Sequence, residues 1–143
     1  MKQIKRQAII GCPAALMYSL VNNIEAYPRW FEWCTSAKLI SAADAEMTAE
    51  LGVKIAGISL NFITNNKLEP DRTIHLNLQS GPFRSLKGAW HFAALGTSGC
   101  RVTLILNIDF AGSVVNTAVA AAVGVWADRM VDDFIKVAKQ HVG

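Results

Sequence analysis

The sequence predicts an α+β fold, a curved antiparallel sheet of about six to seven strands wrapped around a long C-terminal helix, with two short helices after the first strand. Three observations carry this. From Lys38 to Phe110 apolar residues recur at every second position between turn signals, the period of half-buried strands. From Gly112 to Val142 they recur at intervals of three and four, the spacing of one helix face. One sheet face is apolar in every strand, and the C-terminal helix is the only element long enough to cover it.

Residues 2 to 10 alternate loosely and are rich in isoleucine, so they read as a first strand despite Lys5 and Arg6. Pro13 marks a helix start, because proline in the first turn loses no hydrogen bond. Leu16, Leu20 and Val21 give this helix an apolar face, and Asn22 and Asn23 end it. A second helical turn starts near Asn23 and runs into Tyr27 and Pro28, where the proline restricts Tyr27. The segment from Tyr27 to Trp33 concentrates aromatics: Tyr27, Trp30, Phe31 and Trp33. It reads either as a hydrophobic plug over the core or as the mouth of a ligand pocket.

The strands follow. Met47, Ala49, Leu51, Val53 and Ile55 share one face; Ile58, Leu60 and Phe62 share the next. Pro70 and Asp71 mark a turn, after which Ile74, Leu76 and Leu78 alternate with polar residues. Trp90 and Phe92, then Val102, Leu104, Leu106, Ile108 and Phe110, complete the apolar face. Gly52 and Gly57 read as bends or bulges that help the sheet curve.

In the C-terminal helix Val119, Val123, Trp126, Met130, Phe134 and Ala138 form the inner side. Asp128, Asp132, Lys136 and Lys139 form a solvated stripe, with Asp132 and Lys136 spaced to pair. From Phe110 to Ala127 there is no charge, and Val114 to Val125 is apolar nearly all round. Such a segment is buried across a sheet, spans a membrane, or packs on the sheet while touching lipid. Its alanines, Gly112, Ser113, Asn116 and Thr117 dilute it below an ordinary spanning helix.

The 143 residues fit one domain, 1–143, and 52% hydrophobic content suffices for a sizeable core. A formal net charge of +3 is too mild to establish nucleic-acid binding, and no DNA partner is expected. Cys12, Cys34 and Cys100 lie far apart without metal-site or redox spacing, as in structural thiols of a reducing cytoplasm. No apolar run follows the N-terminal basic residues as in a secretory signal. The expected location is the cytoplasm, with peripheral contact at the inner face of the membrane as the extension.

Catalysis would need a nucleophile with its base, an acid–base pair, or metal ligands near a pocket. The sequence suggests none, so no catalytic or metal residue is assigned. His75 and His91 fall on the phase opposite the apolar residues, and His141 falls in the last, frayed turn. Thr64, Asn66 and Arg6 are polar residues in phase with the core, a pattern expected at strand ends. Binding is favoured over catalysis.

Two motifs carry a family resemblance. The run Gly81, Pro82, Phe83, Arg84, Ser85, Leu86, Lys87, Gly88, Ala89, Trp90, His91, Phe92 resembles the GPF-x-x-L-x-G-x-W-x-F signature of the coenzyme Q-binding and ribosome-association toxin family, a branch of the START-like helix-grip proteins within the polyketide cyclase/dehydrase superfamily. Tyr27, Pro28, Trp33 and Cys34 resemble its YP-x-F-x-P-W-C segment, with Trp30 at the usual Phe and Glu32 at the usual Pro. The likeness covers nearly the whole chain. It implies a hydrophobic cavity that binds ubiquinone or a related polyprenyl lipid, the protein serving as a carrier or chaperone in respiration with no required cofactor. It equally implies the alternative, a toxin that binds the large ribosomal subunit and blocks subunit association. More distant relatives of this type are aromatases or cyclases.

The uncharged face from Val114 to Trp126 favours lipid handling, while Lys2, Lys5, Arg6, Arg84 and Lys87 are the candidates for phosphate contacts. The expected cavity walls are Trp30, Phe31, Trp33, Phe62, Phe83, Leu86, Trp90, Val123, Trp126 and Met130.

Overall fold

The computed structural model describes residues 2–110 and 116–142. The predicted start of the last helix at Gly112, and Val114 of its apolar run, lie outside the described residues. Strand β1 (Lys2–Ile10) is followed by α1 (Ala14–Asn22), a 3-10 turn (Ile24–Ala26) and the short α2 (Tyr27–Trp30). Six strands follow: β2 (Cys34–Ala43), β3 (Glu46–Ile55), β4 (Ile58–Glu69), β5 (Thr73–Ser80), β6 (Ser85–Leu95) and β7 (Gly99–Asp109). The helix α3 (Asn116–Val142) closes the chain. This is the helix-grip arrangement that the alternation and the long helix predict.

All strand pairings are antiparallel, in the order β1-β7-β6-β5-β4-β3-β2. Consecutive strands join as hairpins from β2 to β7, and β1 docks on the far side of β7. The tightest hairpin places Ala56 and Gly57 at φ 51° and 79°, the left-handed pair of a two-residue turn. Gly52 faces a register shift between Cys34 and Ser36 on β2, where a Cβ would meet Ser36 Oγ at 2.5 Å. It is the partner of a bulge, as its sequence position suggests.

The inner face of the sheet and α3 enclose the core. Val119, Val123, Trp126, Met130, Phe134 and Ala138 are all buried, and complete burial of Phe134 alone contributes about 1.5–3 kcal/mol. The predicted outer stripe, Asp128, Asp132, Lys136 and Lys139, is exposed. Lys136 lies 4.0 Å from Asp133, however, rather than pairing with Asp132; three residues separate neighbours on a helix as readily as four. The uncharged half of α3 is not buried all round, since Thr117, Ala118, Ala121 and Val125 are exposed. A strand pattern cannot fix how far β2 is covered: as the edge strand it is exposed over most of its length, including Ile40.

Tyr27 lies in the second helical turn, as the sequence suggests. It is helical, at φ −53° and ψ −45°, despite the following proline. Its hydroxyl donates to the carbonyl of Val21, and its ring packs edge-on against Phe31 and Phe134 at 5.6 and 5.3 Å. These contacts outweigh a local steric bias.

The N-terminal basic cluster splits. The inner phase of β1 carries Ile4, Arg6, Ala8 and Ile10, and Arg6 reaches α3 to pair with Asp128. Lys5 points to the opposite, outer face of the sheet.

Candidate functional site

Between the sheet and α3 lies a cavity of about 60 Å³. Phe62, Leu86, Trp90, Trp126 and Met130 line it. Tyr27, Asn22, Thr64 and Asn66 line it as well. By size it admits water-sized guests, each of which needs about 10–15 Å³, and lies well below the roughly 300–1,000 Å³ of ligand pockets.

Its polarity is uneven. Asn22 Oδ1, Asn66 Oδ1 and Trp126 Nε1 are buried, and each is without a hydrogen-bond partner in the structure. Two acceptors and one donor thus face or border one small space. An unpaired buried polar group costs about 1–3 kcal/mol, so a water or a polar ligand group in this cavity would gain by pairing with these three atoms. Thr64 and Asn66 were expected at a strand end. They stand in mid-strand instead, because β4 continues to Glu69. The signal was present in their phase with Leu60 and Phe62; the length of β4 was not legible.

The remaining candidates fall elsewhere. Phe31 and Trp33 are buried and stacked at 4.7 Å, with Phe31 against Phe134 and Trp33 against Trp126. Together they plug the space between α2 and α3. Trp30 is half-buried and lines, with Arg29, Glu32, Arg129 and Asp132, an open surface cleft of about 630 Å³. Phe83 packs edge-on against Phe110 at 5.4 Å, and Val123 is fully buried; neither lines the interior cavity. Within the aromatic segment Tyr27 walls the cavity, while Phe31 and Trp33 are packed against α3.

Burial governs the titrating groups here. It pushes the Tyr27 hydroxyl far above its ordinary range and the Cys34 thiol up to about 11. Cys12 and Cys100, distant in sequence, meet as hydrogen-bond partners beside β7; burial raises both, Cys100 to about 11. Groups this reluctant to ionise make poor nucleophiles at neutral pH. His75 is exposed and 2.5 Å from Glu69, whose carboxyl that hydrogen bond holds below its usual range. His141 is less frayed than expected: Nδ1 lies 2.9 Å from the Val137 carbonyl and the ring packs on Trp30. Among the described residues no group of three or more His, Cys, Asp or Glu could hold a metal ion.

Residues 10–135 match the family described as polyketide cyclase / dehydrase and lipid transport. A ribosome association toxin of Pseudomonas aeruginosa is 38% identical over 140 residues, 98% of this chain and 97% of that relative. Among solved structures, the Zhui aromatase/cyclase of Streptomyces sp. R1128 superposes with a TM-score of 0.89 at 15% identity, covering 99% of this chain and 96% of that one. A START superfamily protein of Mycobacterium smegmatis gives 0.82 at 19%, covering 96% and 97%. At such identities these two likenesses speak for the fold alone.

Proposed function

The chain belongs to the polyketide cyclase / dehydrase and lipid transport family, in its ribosome association toxin group, and from that membership we propose that it acts by binding, with the ribosome as its target. The observation that carries this is the 38% identity to a ribosome association toxin, which spans 98% of this chain and 97% of the relative. No segment of consequence in the relative lacks a counterpart. In keeping with the resemblance in its two sequence motifs, the target is the large subunit and the effect is to hinder subunit joining. The small interior cavity agrees with a surface-acting protein better than with a carrier of a long isoprenoid tail.

Sedimentation tests the reading. Purified protein added to ribosomes is expected to migrate with the large subunit and to enrich free subunits at the expense of joined particles. Protein that stays at the top of the gradient, with an unchanged subunit profile, overturns it.

The unpartnered atoms of Asn22, Asn66 and Trp126 favour a second reading, in which the cavity wall moves to admit the polar head of a lipid such as ubiquinone. A quinone carbonyl would accept the indole N–H of Trp126. No described helix is long and apolar enough to cross a membrane. Mass spectrometry of an organic extract from natively purified protein should then find a prenyl lipid that Trp126→Ala loses. Wild type that remains empty after incubation with quinone-loaded vesicles removes this reading.

A further inference from the structure

The outer face of the sheet carries a row of polar residues, some of which pair across strands: Gln3 Nε2 donates to Asn107 Oδ1 at 3.0 Å and Asn65 Nδ2 to Thr48 Oγ1 at 3.2 Å. Through the strand register, Gln3 of β1 lies opposite Asn107 of β7, which lies opposite Lys87 of β6. Lys87 lies opposite Asn77 of β5, Asn77 opposite Asn65 of β4, and Asn65 opposite Thr48 of β3. Asparagine is among the residues least suited to strands, yet it recurs here on three strands of one row. Nothing among the described residues covers it: Gln3, Asn77 and Lys87 are exposed, and Asn65, Thr48 and Asn107 are half-buried. Departures from local preference that bring no packing gain mark functional surface.

The next row adds charge. Lys5, His75 and Lys67 stand on it, on β1, β5 and β4. Asn65, Lys67, His75, Asn77 and Lys87 line one shallow depression of about 310 Å³, with the backbone of Gly88 contributing to it. Two acids border this depression: Glu46, opposite Lys67, accepts from the Asn65 amide at 2.8 Å and keeps its charge, and Glu69 is held by His75. The face thus offers ammonium groups set among amides that both donate and accept.

We propose that this face docks on the sugar–phosphate backbone of RNA, a proposal that rests on the ribosomal reading above and assigns its contact surface. Lysines neutralise phosphates, while asparagine and glutamine amides and the Thr48 hydroxyl satisfy phosphate oxygens and ribose 2′-hydroxyls. Such contacts position a partner without reading its bases, so binding is indifferent to sequence and sensitive to salt. A lipid surface suits the row less well, because it carries no aromatic or large aliphatic side chain to insert.

The test uses the full chain with purified large ribosomal subunits and, separately, with protein-free large-subunit RNA. Wild type, Lys67→Glu, Lys87→Glu, the double variant, and Lys139→Glu on the outer side of α3 are compared after thermal melts show equal folding. The double variant is expected to bind subunits at least about tenfold more weakly, with a log–log salt slope shallower by about 1.5, the share of two phosphate contacts. Lys139→Glu should bind like wild type. Wild-type binding by the double variant overturns the assigned face while leaving the ribosomal reading in place. Should wild type fail to bind subunits, the ribosomal reading falls, and the face is decided on free RNA. There, loss confined to the Lys67 and Lys87 variants upholds it, and absence of RNA binding overturns it. Binding to phosphatidylglycerol vesicles but not to RNA also overturns it, in favour of a membrane.

Discussion

The indole N–H of Trp33 donates to Asp133 Oδ2 at 3.0 Å, tying the aromatic turn after α2 to the C-terminal helix one hundred residues later. Trp33 is 2% exposed, so removing the acceptor strands a buried donor. Asp133→Ala is expected to lower stability by about 1–3 kcal/mol, and Asp133→Asn, which keeps a carbonyl acceptor, by less than half of that. Urea unfolding followed by tryptophan fluorescence reads both. An unchanged midpoint in Asp133→Ala would show that the bond contributes nothing to the grip.

Trp126 has the opposite status, because its indole nitrogen has no partner. Trp126→Phe keeps most of the ring contact with Phe62 at 5.3 Å and discards only an unpaired polar group. It should change stability by less than about 1 kcal/mol, whereas Trp126→Ala should cost about 3–5 kcal/mol through the cavity it leaves. Calorimetric melts of the two variants give the comparison. A Phe variant as damaged as the Ala variant would mean that the indole N–H is satisfied in solution, for instance by a retained ligand.

Asn66 is 2% exposed, and its side-chain oxygen is without a partner. Asn66→Leu replaces it by an apolar group of the same branching, its extra bulk directed at the cavity, and is expected to raise stability by about 1–2 kcal/mol. Chemical denaturation checks the sign. Destabilisation by this substitution would indicate that ordered water or a bound head group satisfies Asn66 in the native protein.

Alkaline pH should weaken the fold. Burial raises the thiols of Cys34 and Cys100 from 9.0 to about 11. The unfolded chain therefore releases these protons near pH 9 while the native chain holds them until about 11. Their contribution is complete below pH 9 and declines as pH rises through that window, the direction set by a raised native pKa. Melting temperatures should fall across this range, less steeply in a Cys34→Ala/Cys100→Ala variant. A slope identical in the two proteins would assign the decline to other groups.

Much of the architecture was legible because burial imposes a period on each element. The alternation through Met47 to Ile55 and the three-and-four spacing from Val119 to Ala138 both record the side that faces the core. The cavity was legible only in part. Phe62, Trp90 and Trp126 declare themselves by size and phase, whereas Asn22 joins them through the packing of α1 against α3 and Asn66 through the length of β4. Tyr27 could be placed in a helical turn, but what its hydroxyl and ring gain by burial was not legible. Lys67 drew no notice because alternation tells which face a residue occupies but not which residues of other strands stand beside it. Only the register brings it near Lys87. Arg6 looked like part of a basic cluster until α3 supplied Asp128.

The pairing of β1 with β7 also orders events during synthesis. Every other strand pair joins neighbours in the chain, so β2 to β7 can zip together as they emerge. Lys2 to Ile10 must wait for Gly99 to Asp109, and α3 is made later still. Closing so long a loop is slow compared with forming a hairpin. The first strand of the nascent chain therefore stays unpaired until the last is made. The sheet is therefore complete only once the chain has been made as far as Asp109, with α3 still to follow.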